Sequence, residues 1–418
     1  MRVLLAGATG FVGRHLLKAL SSAGHQIIAT SRTRQSLRLP GVEWRQLDLD
    51  TLASVPDHFE FPEAIDLLIN AAGLLSVDEQ QLSLTQDLGT RALFDLAKQA
   101  GVRVLHISAL GAGGQPDVPF LASKAAADDY LMALGLPAVV LRPSLIVGQG
   151  GASSDWLARL SALPVIPLLD RKARLQPLHI DDLVGAVLAL MRRWPNAAVV
   201  LPVVGPEVMT LGQLIDQMRM SQGWPTAWFL KIPDAVTELG ASMGDRFGWR
   251  ALNYQSLLMA RRDNIADPEV LESVCGYRCA SLRDRLQEWP DPAQSAQLAL
   301  RPMMLAVLAL IWLGTAFVSL GPGFDWGLRI LAEAGLTGPF AQIAAVSGAL
   351  CDGVLGVGML IPRWRRRVFQ AQLCLMAVYT VIITFILPHY WFDPYAAVAK
   401  NLVLMVATLW LLRTEPRR

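Results

Sequence analysis

Short apolar runs broken by polar turns fill the chain as far as Arg301, and long apolar runs fill most of the remainder. In the first part, Val3–Ala6 reads as a short buried strand. Gly10–Ser22 reads as a helix with Phe11, Leu16, Leu17 and Leu20 on its apolar face. The pattern predicts further strands at Gln26–Ser31, Val42–Leu47 and Ile65–Asn70, a helix over Gln81–Ala100 and a fifth strand at Val102–Ile107. A helix over Phe120–Leu134 and a strand at Ala138–Leu141 follow. Strand and helix alternate, which predicts an α/β fold: a doubly wound parallel sheet with helices on both faces.

Beyond Arg301 the segments Pro302–Leu320, Pro339–Ile361, Val368–Leu387 and Tyr395–Leu412 each approach the ~20 residues that cross a bilayer as a helix. They predict an all-α four-helix transmembrane bundle over residues 302–412, so the expected lipid partner is the bilayer itself. The polar stretch Glu288–Gln297 reads as linker. The boundaries drawn are residues 1–290, a linker 291–301, the bundle 302–412 and a tail 413–418. Basic residues crowd the second loop (Arg363, Arg365, Arg366, Arg367) and the tail (Arg413, Arg417, Arg418), whereas the first loop has Arg329 alone and the third, Pro388–Pro394, has none. The positive-inside rule then expects a multi-pass protein with the second loop and tail in the cytoplasm. An even number of spans puts the N-terminal domain on that side too; in a bacterium the membrane would be the inner one.

Composition supports a chain partly in lipid. Of 418 residues, 53% are hydrophobic and only 17% charged, against about 25% charged in ordinary soluble domains. A net charge of +2 argues against a nucleic-acid partner. Four cysteines are present, and only Cys275 and Cys279 precede the apolar segments. Two thiols without neighbouring ligands do not make a zinc site, so no metal is expected, and a reducing setting fits. The N-terminal apolar run is too short for a secretory leader.

Gly7-Ala8-Thr9-Gly10-Phe11-Val12-Gly13 follows the first strand and opens the first helix. In that context glycine has three tasks. Gly7 allows a tight turn, Gly10 lets backbone N–H groups approach a pyrophosphate, and Gly13 lets helix and strand pack closely. The helix N-terminus favours the anion. The motif therefore predicts a bound dinucleotide.

The G-x-x-G-x-x-G spacing resembles the extended and atypical branches of the short-chain dehydrogenase/reductase superfamily, over residues 1–290. Further matches are Asn70-Ala71-Ala72-Gly73 after the fourth strand, Arg142-Pro143-Ser144 at the end of the sixth, and Leu178-His179-Ile180-Asp181-Asp182-Leu183. Gly205-Pro206-Glu207 followed by Thr210-Leu211 is similar to nucleotide-sugar epimerase-like members and to the Rossmann accessory subunit of respiratory complex I. The latter implies a membrane-complex partner. The resemblance implies a Rossmann domain whose cofactor contacts are Gly7, Thr9, Gly10, Phe11, Val12, Gly13, Asn70, Ala71, Ala72, Gly73 and Pro143. Asp48 and Leu49 match its adenine-contacting pair.

An NAD site usually places Asp or Glu at the end of the second strand. Here Thr30-Ser31-Arg32-Thr33-Arg34 carries no acid, and Arg32 and Arg34 suit a 2′-phosphate. NADP(H) is expected over NAD(H), with Ser31 beside it. The family's catalytic set is Ser, Tyr and Lys. Ser108 and Lys124 match the Ser and Lys, but Phe120 stands at the Tyr position and has no proton to give. Lys124 is left with three roles: ribose contact, proton-transferring base, or surface charge. Ser108 touches cofactor or substrate, or is a strand-end hydroxyl satisfied by backbone. Tyr130, six residues past Lys124, should face away from it. His179 is a ligand contact, or its segment is structural with Asp181 or Asp182 capping the next helix.

The last part resembles DoxX-like four-helix membrane domains through Cys351-Asp352-Gly353, Tyr379-Thr380, Leu387-Pro388-His389 and Lys400-Asn401-Leu402. Asp352 and Lys400 lie inside apolar spans, where they pair, line a quinone or lipid site, or, for Lys400, reach to the interface. Two functions remain: a membrane-anchored NADP-dependent oxidoreductase or epimerase-like enzyme acting on an apolar or membrane-resident substrate such as a quinone or lipid carbonyl, and a non-catalytic NADP-binding module for sensing or assembly.

Overall fold

The computed structural model describes residues 1–33, 35, 39–168, 172–248, 253–287, 289–394 and 396–415. The chain forms two compact units, Met1–Ser295 and Ala296–Arg418.

The first unit is built on strands β1 (Arg2–Ala6), β2 (Gln26–Ser31), β3 (Val42–Gln46), β4 (Leu67–Asn70), β5 (Arg103–Ile107) and β6 (Ala138–Pro143). With strand Val199–Val203 outside β6 they form a seven-stranded parallel sheet in which β3, β2, β1, β4, β5 and β6 lie side by side in that order. The sequence order reverses between β1 and β4, where Ala6 is in register with Asn70. Ligands of doubly wound sheets bind at such a switch point, beyond the strand C-termini. The strands are buried on both faces. Val3 and Leu5 join the core under helix α1 (Phe11–Ser22) and helix Ile180–Arg192, while Leu4 and Ala6 join the opposite core with Leu93, Phe94 and Leu131.

Three local differences from the pattern have physical causes. Residues 79–99 are helical, but Ser83–Leu88 widens into a π turn. There the Thr85 hydroxyl bonds the Asp50 carboxylate, and Gly89 presses on Leu49, whose carbonyl oxygen would lie 2.1 Å from a Cβ at residue 89. In the His-Asp-Asp segment, the cap of helix Ile180–Arg192 is His179 itself, whose Nδ1 accepts from the Asp181 N–H at 3.3 Å. Neither Asp181 nor Asp182 is the cap. Asp182 is fully buried instead and accepts from the Tyr277 hydroxyl (3.0 Å), Ala280 N–H (3.2 Å) and Arg285 Nη2 (2.7 Å). Finally, the polar residues after Asp291 extend the first apolar helix, which runs from Pro292 to Leu320. The Asp291 carboxylate accepts from the Gln294 N–H at 3.1 Å, and Pro292 opens the helix, a favoured start.

In the second unit, helices Pro292–Leu320, Gly338–Gly358 and Arg365–Ile386 are each long and apolar enough to cross a membrane. Helix Ala397–Thr414 follows where the fourth span is expected, from Tyr395, which lies outside the described residues. The first loop is not open coil: it holds helix Phe324–Glu333. Arg301 and Glu415 form an ion pair. Among the described residues no ion pair joins Asp352 to Lys400; Asp352 is half-buried in its helix and Lys400 is exposed.

Candidate functional site

The glycine turn sits at the switch point. Gly7 has φ +75°, and a Cβ there would lie 2.7 Å from the Ala72 backbone; at Gly13 it would lie 2.1 Å from the Gly7 carbonyl oxygen. These two glycines are required by chain packing. Gly10 is different: it is exposed, and among the described residues the only neighbour a Cβ there would meet is Gly7 O at 3.2 Å. As N-cap of α1 it supplies no capping side chain, and the first helical turn holds no acid. The amides of Phe11 and Val12 thus open an anion-accepting helix end. Thr9 is exposed at the tip of the turn.

Across the switch point, Asn70 Oδ1 accepts from the Ala72 N–H at 3.0 Å, which shapes the Asn70–Gly73 loop. Its buried Nδ2 has no hydrogen-bond partner among the described residues. An orphaned donor beside a helix end that accepts anions fits a polar ligand such as a dinucleotide. Ser31 is buried at the end of β2 and Arg32 is exposed next to it; Arg34 lies outside the described residues. Asp48 caps helix Leu49–Ser54 by accepting from the Asp50 N–H at 3.1 Å, and Leu49 is in the core.

The Ser/Lys pair lies beyond β5. Helix Pro119–Ala133 carries Lys124, which is only 4% exposed. Its Nζ donates to the carbonyls of Ile107 (3.0 Å) and Ala72 (3.3 Å), and it would lie 3.7 Å from a Cβ on exposed Gly73. Burial lowers its pKa to about 8, with the Asp128 charge working in the other direction. The plain surface-charge role is therefore excluded. Ser108 is not the backbone-satisfied hydroxyl that was one of its two expected forms: its Oγ donates to Asp128 Oδ2 at 2.8 Å. Ser108 can then only accept a hydrogen bond from a substrate. Phe120 is half-buried, with its N–H donating to Gln255 Oε1 at 3.0 Å. Tyr130 faces away as expected and donates to Asp95 Oδ1 at 2.7 Å.

Asp128, one helical turn after Lys124, was not picked out from sequence. It is fully buried and also accepts from Arg142 Nε at 2.9 Å. Burial raises its pKa, and the bonds from Ser108 and Arg142 oppose that. The i, i+4 spacing to Lys124 was the available signal. Gln255 had none: it lies far along the chain, and its Nε2 donates to Ser76 O at 3.2 Å while its Oε1 holds Phe120, closing one wall of the site. Pro143 ends β6, and its carbonyl accepts from Leu110 N–H at 2.8 Å.

A glycine turn at the switch point of this sheet, with a buried lysine past β5, defines a Rossmann dinucleotide-binding domain of the short-chain dehydrogenase/reductase kind. Residues 3–201 match the NAD dependent epimerase/dehydratase family, and residues 309–409 match the DoxX-like family. The chain therefore joins an epimerase/dehydratase-like NAD-dependent domain to a DoxX-like membrane domain. Ceramide reductase of Caulobacter vibrioides is 33% identical over 202 residues, covering 46% of this chain and 61% of that protein. The mitochondrial NADH dehydrogenase (ubiquinone) 1 alpha subcomplex subunit 9 of Dictyostelium discoideum is 27% identical over 223 residues, covering 51% and 61%. Sterol demethylase protein B of Methylococcus capsulatus is 32% identical over 174 residues, covering 35% and 52%. The matches span about three fifths or less of these relatives' lengths. Among solved structures, dTDP-glucose 4,6-dehydratase from Bacillus anthracis in complex with NAD superposes with TM-score 0.53 at 18% identity, covering 69% of this chain and 94% of that one. MoeE5 in complex with UDP-glucose and NAD gives 0.51 at 20%, covering 72% and 100%. At these identities the likeness is one of fold.

Proposed function

We propose that the chain is a membrane-anchored, NADP(H)-dependent oxidoreductase acting on a carbonyl or hydroxyl of a membrane-resident lipid or quinone, with Lys124 carrying the proton. The observation that carries this reading is Lys124 itself: a buried amine on two backbone carbonyls, beside exposed Gly73, with its pKa lowered to about 8. A general acid/base works best with a pKa near the working pH, and Phe120 leaves that task open. A bound dinucleotide would supply or accept the hydride. The amides of Phe11 and Val12 would hold its pyrophosphate, Arg32 and Arg34 its 2′-phosphate, Asp48 and Leu49 its adenine, and Lys124 its nicotinamide ribose. The Asn70–Gly73 loop and Pro143 would line the nicotinamide end. In reduction, Lys124 Nζ releases a proton to the substrate oxygen; in oxidation it takes one. Ser108, its own proton on Asp128, accepts from a substrate hydroxyl and orients it.

The ceramide reductase and sterol demethylase names of two relatives favour a lipid carbonyl. The basic second loop and tail support a multi-pass topology with the first unit and C-terminus in the cytoplasm, where NADP(H) is supplied. The purified full chain in phosphatidylcholine vesicles should oxidise NADPH with a long-chain keto-lipid or decylubiquinone. Failure with both acceptors, while NADPH binds, would overturn the catalytic reading.

A second reading has Phe120 in its favour: a nucleotide-binding module that does not turn over, serving assembly with a membrane complex, as the complex I subunit among its relatives suggests. It predicts NADPH binding without oxidation by any acceptor, and co-purification with a membrane partner.

A further inference from the structure

The first unit exposes an apolar face that none of the described residues cover. Strands Val165–Leu168 and Trp228–Lys231 pair as a parallel two-stranded ribbon, with Trp228 in register with Val165. One face of the ribbon packs inward through Ile166 and Leu168, both buried. The other face is solvent-directed, where a contiguous large apolar patch is the informative exception. It carries Val165, Trp228 and Leu230, and Trp228 is 81% exposed and Leu230 61%.

The chain continues from this ribbon into helix Asp234–Phe247. That helix packs through Thr237, Ala241 and Gly244, which are buried. Glu238, Ser242, Asp245 and Arg246 form a polar face. Val236, Leu239 and Met243, at spacings of three and four, make a second apolar stripe that is exposed, Leu239 by 64%. A helix with one polar face and an unpartnered apolar stripe has the pattern of interfacial helices. Lys231, exposed where the ribbon ends, and Trp228 are the residue types enriched at membrane interfaces.

We propose that this face, Val165, Trp228, Leu230, Val236, Leu239 and Met243, is a lipid-contacting surface that seats in the boundary between headgroups and acyl chains. The occupant is a bilayer because the same chain continues into helices long and apolar enough to cross one, beginning at Pro292. Tethering holds lipid at a high effective concentration around the first unit, whereas a soluble partner would have to be recruited. The patch itself carries no charge for an ionic partner to read. The surface is also mechanically tied to the candidate site. Arg261 Nη2 pairs with Asp234 Oδ1 at 3.1 Å, and the helix that precedes Arg261, Tyr254–Ala260, holds Gln255 against Phe120 and Ser76. The proposal is independent of the chemistry assigned to Lys124.

The test uses the full chain with Cys351→Ser and Cys374→Ser, reconstituted in phosphatidylcholine–phosphatidylglycerol vesicles. A polarity-sensitive fluorophore is attached in turn at Leu230→Cys, Leu239→Cys and, as control on the polar face, Ser242→Cys. Acyl-brominated lipid should quench the first two at least about twofold more than the control, with blue-shifted emission. Water-like emission without quenching at Leu230→Cys and Leu239→Cys would overturn the proposal. So would blue-shifted emission that brominated lipid does not quench, because protein, from a second copy or elsewhere in the chain, then covers the face. NADPH binding, measured on each labelled protein, reports whether the first unit is folded.

Discussion

Lys124 is charged at neutral pH but close to losing its proton, because burial removes water that would hydrate the ammonium group. With its pKa at about 8, the protonated form dominates below pH 8 and the free amine above it. If Lys124 donates the proton, the reduction rate should hold below pH 8 and fall as pH rises through it, and the oxidation rate should show the opposite limb. Lys124→Met should remove that limb and cost about 10²–10⁴-fold in rate. A stopped-flow pH profile in both directions checks both points. Phe120 permits a complementary experiment. Phe120→Tyr restores a phenol four residues before Lys124 and should raise the reduction rate by up to about 100-fold if the site turns over by this route. An unchanged rate in a variant that still binds NADPH would separate this site from tyrosine-dependent relatives.

At the scale of elements, helix Pro119–Ala133 does more than carry Lys124. Asp128 on the same helix clamps Ser108 of the loop after β5 and Arg142 of β6, so one carboxylate ties three consecutive parts of the chain together. Breaking a buried ion pair by removing one charge leaves the partner uncompensated. Asp128→Asn should destabilise the first unit by about 3 kcal/mol, read as a shift in the urea midpoint. Over residues 1–141 most strand and helix positions were legible because each has a strong local pattern, and β2 spans Gln26–Ser31 in both sequence and structure; the elements between Ile146 and Arg285 were not placed from sequence. The π turn at Ser83–Leu88 was not legible, since it arises from Gly89 meeting the Leu49 backbone, a contact between segments forty residues apart. The helical start at Pro292 was missed because Pro and polar residues read as linker, although Asp291 followed by Pro292 is itself a helix-start pattern.

At the scale of the molecule, the nucleotide should act on one unit. Saturating NADPH at about 100 times its Kd should stabilise the first unit by about 2.7 kcal/mol and leave the unfolding of residues 296–418 unmoved. NADH at the same concentration should do less, and Arg32→Ala should remove most of the difference. Scanning calorimetry of the full chain in vesicles reads both. Equal stabilisation by the two nucleotides would overturn the NADP(H) preference.

What the sequence determined by itself was whatever local physics encodes: apolar periodicity, the glycines of Gly7–Gly13, the long apolar helices, and the absence of a tyrosine proton at Phe120. These need no partner from elsewhere in the chain to be read. Tertiary structure alone decided the partners of buried polar groups. Ser108 turned to Asp128, His179 became a cap, Asp182 anchored Tyr277 and Arg285, and Gln255 arrived from far along the chain to hold Phe120. The reason is that most buried polar atoms are bonded to whatever partner the fold brings, and sequence spacing does not encode which distant segment that will be.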